Sequence, residues 1–298
     1  MTFLFEDIDA VIADEVRERR PDNWDPTCLH VTDLSACPRQ VVLRAQGSPM
    51  RPLAAKDINM FDLANYQHER VYAALRRRGE LVGCEEELPD LPAIGNGFRG
   101  WTGRLDYIRR LPNGQMRIGD IKTSHPNWIQ YNKDGNGYPK PEHVMQVSTY
   151  WHYWHYRDDL DPMVEVVYLD RGGQNPSHPT VFEPLPLGYI RERMAEYEEW
   201  LSSDELPPLL PSGVKWGQKW SPTTGKIMFG PEGWQCRYCR VENCPNERQD
   251  HWIATYTKKR GLELYDMARH FEREIVDFLW AETKTQFTIT PGMYKKGA

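Results

Sequence analysis

The chain has 298 residues, of which 40% are hydrophobic and 12% aromatic, enough for one large domain or two small ones with a buried core. This composition excludes an intrinsically disordered chain, and no apolar run approaches the roughly 20 residues that a membrane-spanning helix needs. The formal net charge of −6 argues against a protein that coats nucleic acid by bulk attraction, although cation clusters such as residues 76–78 leave room for a local basic groove.

A segment that covers residues 1–55 is predicted to be helical. Its first twenty residues carry acids where a signal peptide needs a basic flank and a continuous apolar core, so we interpret them as an amphipathic helix of a cytoplasmic protein. Thr32 is a candidate N-cap of the next helix, and Gly47 is a candidate terminator.

A central domain is predicted at residues 56–205, and it starts with a helix between Asn59 and Arg78. One stripe along this helix has the spacing of a core-facing surface, and it consists of Phe61, Ala64, His68, Val71 and Leu75. The remaining predicted elements are an extended segment at 80–91, a hairpin at 103–124 whose turn is LPNG, a loop at 132–142, an aromatic-rich helix at 143–156, a strand at 163–170 and a helix at 188–205.

The last third of the chain is divided into two predicted segments. Residues 206–250 carry three cysteines, and prolines and glycines dominate most of this segment, so irregular structure with room for one hairpin is expected. Residues 251–298 are expected to form a tail with an amphipathic helix at about 262–284.

Three polar residues stand out in the predicted hairpin. Side chains alternate along a strand, so Asp120 and Lys122 share a face, and Asp106 on the partner strand can approach Asp120. Two adjacent carboxylates repel each other unless a cation lies between them, and oxygen ligands of this kind suit Mg²⁺ or Mn²⁺. An exposed Asp–Lys ion pair is the alternative that the hairpin alone leaves open.

The three residues are part of a longer pattern that runs from residue 68 to residue 150. Its motifs, in chain order, are His68 in NYQHERVY, Asp106 in GRLD, Asp120-Ile121-Lys122, and Gln146 with Tyr150 in MQVSTY. This order resembles the PD-(D/E)XK nuclease superfamily and, within it, the RecB-like branch. The resemblance implies an α/β fold with a mixed central sheet flanked by helices.

The resemblance also implies the parts of an active site. Its metal ligands would be His68, Asp106, Asp120 and the carbonyl group of Ile121, which would hold one or two Mg²⁺ or Mn²⁺ ions. Lys122 would position the attacking water and stabilise charge on the phosphate.

Two residues of the predicted helix at 143–156 complete the implied site. Gln146 and Tyr150 lie four residues apart and share a helix face. They would orient the lysine or contact the DNA backbone.

The cysteines form a second pattern. Cys236, Cys239 and Cys244 lie close together in WQCRYCRVENCPN, and in a reducing compartment such spacing favours metal ligation over disulfides. One group of RecB-like nucleases, which includes CRISPR-associated protein four, the AddB nuclease domain and phage exonucleases, holds a 4Fe–4S cluster through one early and three late cysteines. Cys37 in SACPRQ matches the early position, with Cys28 as the fallback, and the implied cluster joins the N- and C-terminal segments in a helical subdomain. Zinc is the alternative metal.

The implied function is that of a metal-dependent DNA exonuclease in a bacterial, archaeal or phage-infected cell. Its substrate would be single-stranded DNA or DNA ends, with 5′-to-3′ polarity suggested by the resemblance, in recombination, repair or CRISPR spacer processing. Recombination or CRISPR-integration proteins are the expected partners, and no membrane is involved. The alternatives are a catalytically silent DNA-binding or assembly subunit and a restriction-type endonuclease on the same core.

A segment rich in tryptophan and lysine allows two interpretations. The tryptophans could stack bases beside the cysteines, or a hairpin could pack them against itself, which is the more common arrangement. The residues concerned are Lys215, Trp216, Lys219, Trp220, Lys226 and Trp234.

Overall fold

The computed structural model divides the chain into two compact units, residues 1–207 and 208–298. The structure describes residues 28–53, 55–88, 91–94, 100–124, 139–154, 157–173, 177–221, 224–231, 235–242, 244, 251–257, 261–270, 272–284, 286, 288–290 and 293–294. Among these residues, no helix is both long enough and apolar enough to cross a lipid bilayer.

The first unit is built on a mixed five-stranded sheet in the order β2-β4-β5-β6-β7. A short parallel pair, β1 with β3, lies outside this sheet. The strands are β1 (Cys28–His30), β2 (Leu81–Glu87), β3 (Gly100–Thr102), β4 (Arg104–Arg110), β5 (Met116–Ser124), β6 (Val164–Asp170) and β7 (His178–Phe182). The helices are α1 (Pro38–Ala45), α2 (Ala55–Arg77), α3 (Pro141–Tyr153) and α4 (Leu187–Ser202), with 3-10 turns at Val31–Ser35 and Arg157–Asp159. The expectation of a mixed sheet flanked by helices is confirmed.

The predicted hairpin is formed by β4 and β5. Its turn closes through a hydrogen bond from the Leu111 N–H to the Gln115 carbonyl of 2.8 Å, and Gly114 adopts a φ of +89° that favours glycine. The antiparallel register runs from the pair Arg110–Met116 to the pair Tyr107–Gly119, and if it is extended by one residue it places Asp106 opposite Asp120. Strand β5 continues the sheet by pairing in parallel with β6, and α3 lies in the connection between these two strands.

Helix α2 packs against the sheet through only part of the predicted stripe. Val71 and Leu75 pack on the cluster of Tyr72 with residues of β4 and β5, as predicted. The prediction was wrong for Phe61, which is 42% exposed, because the residues that contact the sheet come from the C-terminal half of the helix.

The N-terminal segment differs from the continuous helical prediction. Its first 27 residues lie outside the described part of the chain, and Cys28–His30 forms a strand instead of helix. The following α-helix begins at Pro38 with Cys37 as its N-cap, whereas Thr32 lies inside the preceding 3-10 turn. Proline lacks an N–H and suits the first turn of a helix, which explains why the helix starts there.

The second unit contains an antiparallel four-stranded sheet in the order β11-β10-β9-β8. Its elements are β8 (Ser212–Ser221), β9 (Thr224–Pro231), α5 (Gln235–Tyr238), β10 (His251–Thr257), β11 (Gly261–Leu264), a 3-10 turn (Asp266–His270) and α6 (Glu272–Thr283). The expected hairpin in 206–234 is present and is more regular than predicted. The helix expected from about residue 262 starts only at Glu272, because the chain first adds a strand that pairs with β10.

Candidate metal centre and active site

The central strand β5 carries Asp120 and Lys122. Asp120 is 0% exposed, and its Oδ1 accepts a hydrogen bond of 2.9 Å from the Lys122 ammonium group. The other carboxylate oxygen, Oδ2, is buried and has no hydrogen-bond partner among the described residues. This burial does not fit the alternative of an exposed ion pair.

Asp106 lies opposite Asp120 and is fixed by the strand backbone. Its Oδ2 accepts a hydrogen bond of 2.6 Å from the Ile121 N–H. The Ile121 side chain is 1% exposed and packs with Tyr72 and Tyr107, so only its main chain is available to the site. This bond holds the Asp106 carboxylate against the strand that carries Asp120, and a shared metal ion between the two acids stays a prediction.

His68 reaches this site from α2. The structure brings ligand atoms of His68, Asp106 and Glu85 to within 4.8 Å of one another. Glu85 belongs to β2, where the register places it between the pairs Cys84–Tyr107 and Glu86–Leu105 and so opposite Asp106. Its φ of +57° is uncommon for a residue other than glycine, and such backbone conformations concentrate at functional sites.

Two side chains hold the Glu85 carboxylate. Tyr72 donates a hydrogen bond of 2.7 Å to Glu85 Oε1, and Arg104 Nε lies 2.8 Å from Glu85 Oε2. The His68 imidazole, together with Tyr72 and Arg104, lowers the pKa of Glu85 in spite of its partial burial. Burial and the hydrogen bond to Glu85 raise the pKa of Tyr72, so this tyrosine stays protonated.

The buried Asp120 carboxyl group is costly to ionise. Burial raises its pKa to about 7, and the nearby Asp106 adds to the shift, whereas Lys122 opposes it. Above neutral pH the protein therefore holds a desolvated negative charge at the centre of the sheet.

The two cationic groups keep their protons more tightly than usual. Burial alone would lower the pKa of Lys122, but Asp120 and Asp106 outweigh that effect and raise it. Burial likewise opposes the protonation of His68, but Glu85 and Asp106 raise the pKa of its imidazole above the ordinary value. The carboxylates of the site therefore help to keep Lys122 and His68 protonated.

The donor set fits a divalent cation. Glu85, Asp106 and Asp120 supply carboxylate oxygens, and His68 supplies a ring nitrogen when it is neutral. Hard oxygen ligands with one imidazole suit Mg²⁺ or Mn²⁺. The buried, unpaired Oδ2 of Asp120 is the atom that such an ion would satisfy.

Gln146 and Tyr150 lie on α3 and contact each other. Gln146 Nε2 donates a hydrogen bond of 2.6 Å to the Tyr150 hydroxyl, and both side chains are buried. Burial, followed by the Asp120 and Asp106 carboxylates, raises the pKa of Tyr150. Their roles toward the lysine or the DNA stay predictions.

The cysteines are divided between the two units. Cys37 is buried at the N-terminus of α1, and Cys28 belongs to β1. In the second unit Cys236 lies in the short helix α5, and the Cys239 N–H donates a hydrogen bond of 3.3 Å to the carbonyl group of Cys236. Cys244 is half-buried. The 4Fe–4S cluster and its zinc alternative stay predictions.

The tryptophan and lysine segment is described only in part. Lys215 lies in β8 and Lys226 in β9. The side chains of Trp216, Lys219 and Trp220 lie outside the described part of the structure, as does the whole of residue 234.

Sequence reasoning missed three residues of the site. Tyr72 lies four residues after His68 and so shares its helix face, and Arg104 lies two residues before Asp106 and so shares its strand face. Both residues could have been predicted from these spacings. Glu85 had a weaker signal, because it is one of three consecutive glutamates and its orientation depends on the unusual backbone conformation.

The chain was compared with protein-family models, with curated proteins and with solved structures. No model of a protein family matches it, and no curated protein matches it. Among solved structures, the crystal structure of SSO0001 is similar with a TM-score of 0.51 and 22% sequence identity, over 80% of this chain and 97% of that one. An alkaline exonuclease from Laribacter hongkongensis has a TM-score of 0.38 and 15% identity, over 59% of this chain and 88% of that one. The same exonuclease in complex with dAMP has a TM-score of 0.39 and 17% identity, over 58% and 87%. The similarity to SSO0001 shows a shared fold.

Proposed function

We propose that this protein is a metal-dependent DNA nuclease that hydrolyses phosphodiester bonds. One observation carries the proposal: His68, Glu85 and Asp106 converge to within 4.8 Å beside a pair formed by a buried aspartate and a lysine. A carboxylate cluster can hold a divalent cation. That cation and an adjacent ammonium group can together stabilise the negative charge on a phosphate during hydrolysis.

The proposed ligands of the divalent ion are His68, Asp106, Asp120 and the Ile121 carbonyl, with Glu85 as an additional carboxylate. When bound, Mg²⁺ or Mn²⁺ supplies positive charge that polarises the scissile phosphate and lowers the pKa of water. These ligands come from four separate elements, α2, β2, β4 and β5, so the fold itself sets their arrangement.

The protein's own groups perform the remaining tasks. Lys122 stays protonated because its pKa is raised, so its ammonium group can stabilise negative charge on the phosphoryl oxygens. Its hydrogen bond to Asp120 Oδ1 fixes the position of that ammonium group. Tyr72 keeps its proton and holds Glu85 in place.

The finer assignment follows the sequence resemblance. It favours exonuclease action on single-stranded DNA or on DNA ends, with 5′-to-3′ polarity, in recombination, repair or CRISPR spacer processing. The late cysteines favour a 4Fe–4S cluster, with zinc as the alternative. Anaerobic purification followed by metal analysis tests this second site separately, since iron supports the cluster and zinc without iron contradicts it.

Digestion of an end-labelled single strand tests the proposed activity. We expect cleavage that requires added Mg²⁺ or Mn²⁺ and that Asp120→Asn abolishes. Asp158→Asn is the matched control, because this acid is exposed and lies outside the site. If the wild-type protein leaves the strand intact with either metal, the enzyme proposal fails and a silent DNA-binding subunit becomes the better interpretation. Discrete internal cuts in closed circular DNA would instead indicate a restriction-type endonuclease.

A further inference from the structure

Arg104 is a cation at the edge of the candidate metal centre. It precedes Asp106 by two residues in β4, so the two side chains leave the strand on the same face, separated by roughly 6.6 Å along it. Its Nε lies 2.8 Å from Glu85 Oε2, whereas 63% of its side chain is exposed. One edge of the guanidinium group is thus held at the site while most of the side chain faces solvent.

The group that holds Arg104 is itself fixed. Glu85 receives a hydrogen bond from Tyr72, which is 1% exposed, and its backbone adopts a φ of +57°. An exposed ion pair between flexible side chains contributes little to stability. Here the carboxylate is anchored on one side by a buried hydroxyl group, so it orients the guanidinium group and does not merely neutralise it.

We propose that Arg104 binds a phosphate of the substrate strand next to the phosphate that is cleaved, and that Glu85 positions it for this contact. This inference rests on the proposed nuclease function. A guanidinium group presents several N–H donors in a planar fork that matches phosphate oxygens, and one edge held by Glu85 leaves donors for a second anion. The separation between residues 104 and 106 is on the scale of one nucleotide step along a strand.

The charges around the site favour Arg104 as the group that contacts the DNA strand. Glu85, Asp106 and Asp120 repel an approaching DNA strand until a metal ion offsets their charge, and a cation on the solvent side of the carboxylates attracts the strand in either state. Lys122 cannot serve this purpose at long range, because its ammonium group is bonded to Asp120 and only 21% of its side chain is exposed. Arg104 is an exposed cation in contact with this carboxylate cluster.

The test measures the affinity of a labelled single strand in an Asp120→Asn background, in which cleavage is not expected. Added to that background, Arg104→Ala is expected to weaken binding about tenfold, the loss typical of one charge-assisted hydrogen-bonded contact. It is also expected to reduce the slope of log affinity against log salt concentration by about 0.7, the value for one phosphate contact on a single strand. Arg104→Lys should keep most of the slope, because the charge remains, but lose part of the affinity with the planar fork.

Arg110→Ala is the matched control, since this arginine is exposed at the other end of the same strand. It should leave both affinity and slope unchanged. Equal affinity and slope for Arg104→Ala and Arg110→Ala would overturn the inference.

A neutral methylphosphonate linkage, placed in turn at each of the first three positions from either end, locates the contact. At one position the neutral linkage should weaken binding to the Asp120→Asn protein, and it should have no further effect once Arg104→Ala is added. If every position has the same effect in both proteins, Arg104 does not touch the strand. Mn²⁺ affinity is measured separately in the protein with Asp120 intact. A drop in that affinity on Arg104→Ala, with an unchanged salt slope in the binding series, would show that Arg104 acts only through Glu85 and would also overturn the proposal.

Cleavage by the wild-type protein in Mg²⁺, measured in parallel, separates this inference from the function on which it rests. Cleavage without an Arg104-dependent salt slope overturns this inference alone. Absence of cleavage overturns the proposed function, whatever the binding data show.

Discussion

The buried Asp120 carboxyl group makes the stability of the metal-free protein depend on pH. Burial raises its pKa to about 7 from an ordinary value of 3.8. The folded state therefore binds this proton more tightly than the unfolded state, and the stability contributed by the neutral form is complete below about pH 4. This contribution to stability is lost as the pH rises through about 7, the pKa of the folded state. A difference of about three pKa units corresponds to about 4 kcal/mol at most.

Asp120→Asn removes this titration and keeps the shape of the side chain. In EDTA at pH 8 we expect the variant to be more stable than the wild type by up to about 4 kcal/mol, with the advantage shrinking toward zero near pH 4. Urea unfolding followed by tryptophan fluorescence between pH 4 and pH 8.5 measures the difference. Mn²⁺ should stabilise the wild type above pH 7 far more than the variant, because a ligand that binds only the folded state shifts the unfolding equilibrium.

Two results would refute this reasoning. One is a wild-type protein whose stability has the same pH dependence as that of Asp120→Asn. The other is a variant that is less stable than the wild type at pH 8 without metal. Either result would mean that the carboxylate is ionised at no cost in the free protein, and that its unpaired oxygen is no sign of a cation site.

Three further predictions concern the surroundings of the site. Glu85→Gln should reduce Mn²⁺ affinity in calorimetry at least tenfold, whereas Glu86→Gln, an exposed neighbour, should not; equal effects would contradict a ligand role for Glu85. A Cβ at Gly119 would lie 2.1 Å from the Tyr107 ring, so Gly119→Ala should lower the free energy of unfolding by about 3 kcal/mol, and a loss below about 0.5 kcal/mol would contradict this packing. Burial, followed by the charge of a nearby lysine, lowers the pKa of His143 to about 2, so nuclear magnetic resonance should show a neutral ring down to pH 4; titration near pH 6.5 would contradict it.

Local sequence signals were sufficient for the hairpin that carries the acids. The Asn-Gly turn sets a register that ends at the pair Tyr107–Gly119, and alternation along the strands then puts Asp120 and Lys122 on one face. Helix periodicity put His68 on the sheet-facing side of α2. These features depend on residues close together in the chain, which is why the sequence contains them.

Other features depend on contacts between distant segments. The parallel pairing of β5 with β6 brings together strands separated by α3. This pairing could not be predicted from a turn motif, because parallel strands are joined by a long crossover connection. The four-stranded sheet of the second unit was expected as little more than one hairpin, because strand preference depends strongly on tertiary context. Glu85 joins the site through a positive φ, a property that side-chain identity does not predict for glutamate.

Anomalous scattering from a crystal soaked in Mn²⁺ tests the central claim most directly. We predict a manganese peak bonded to His68, Asp106 and Asp120, and its loss in Asp120→Asn crystals soaked in the same way. A wild-type crystal with manganese elsewhere and none between these three side chains would contradict the proposed metal centre and, with it, the nuclease mechanism.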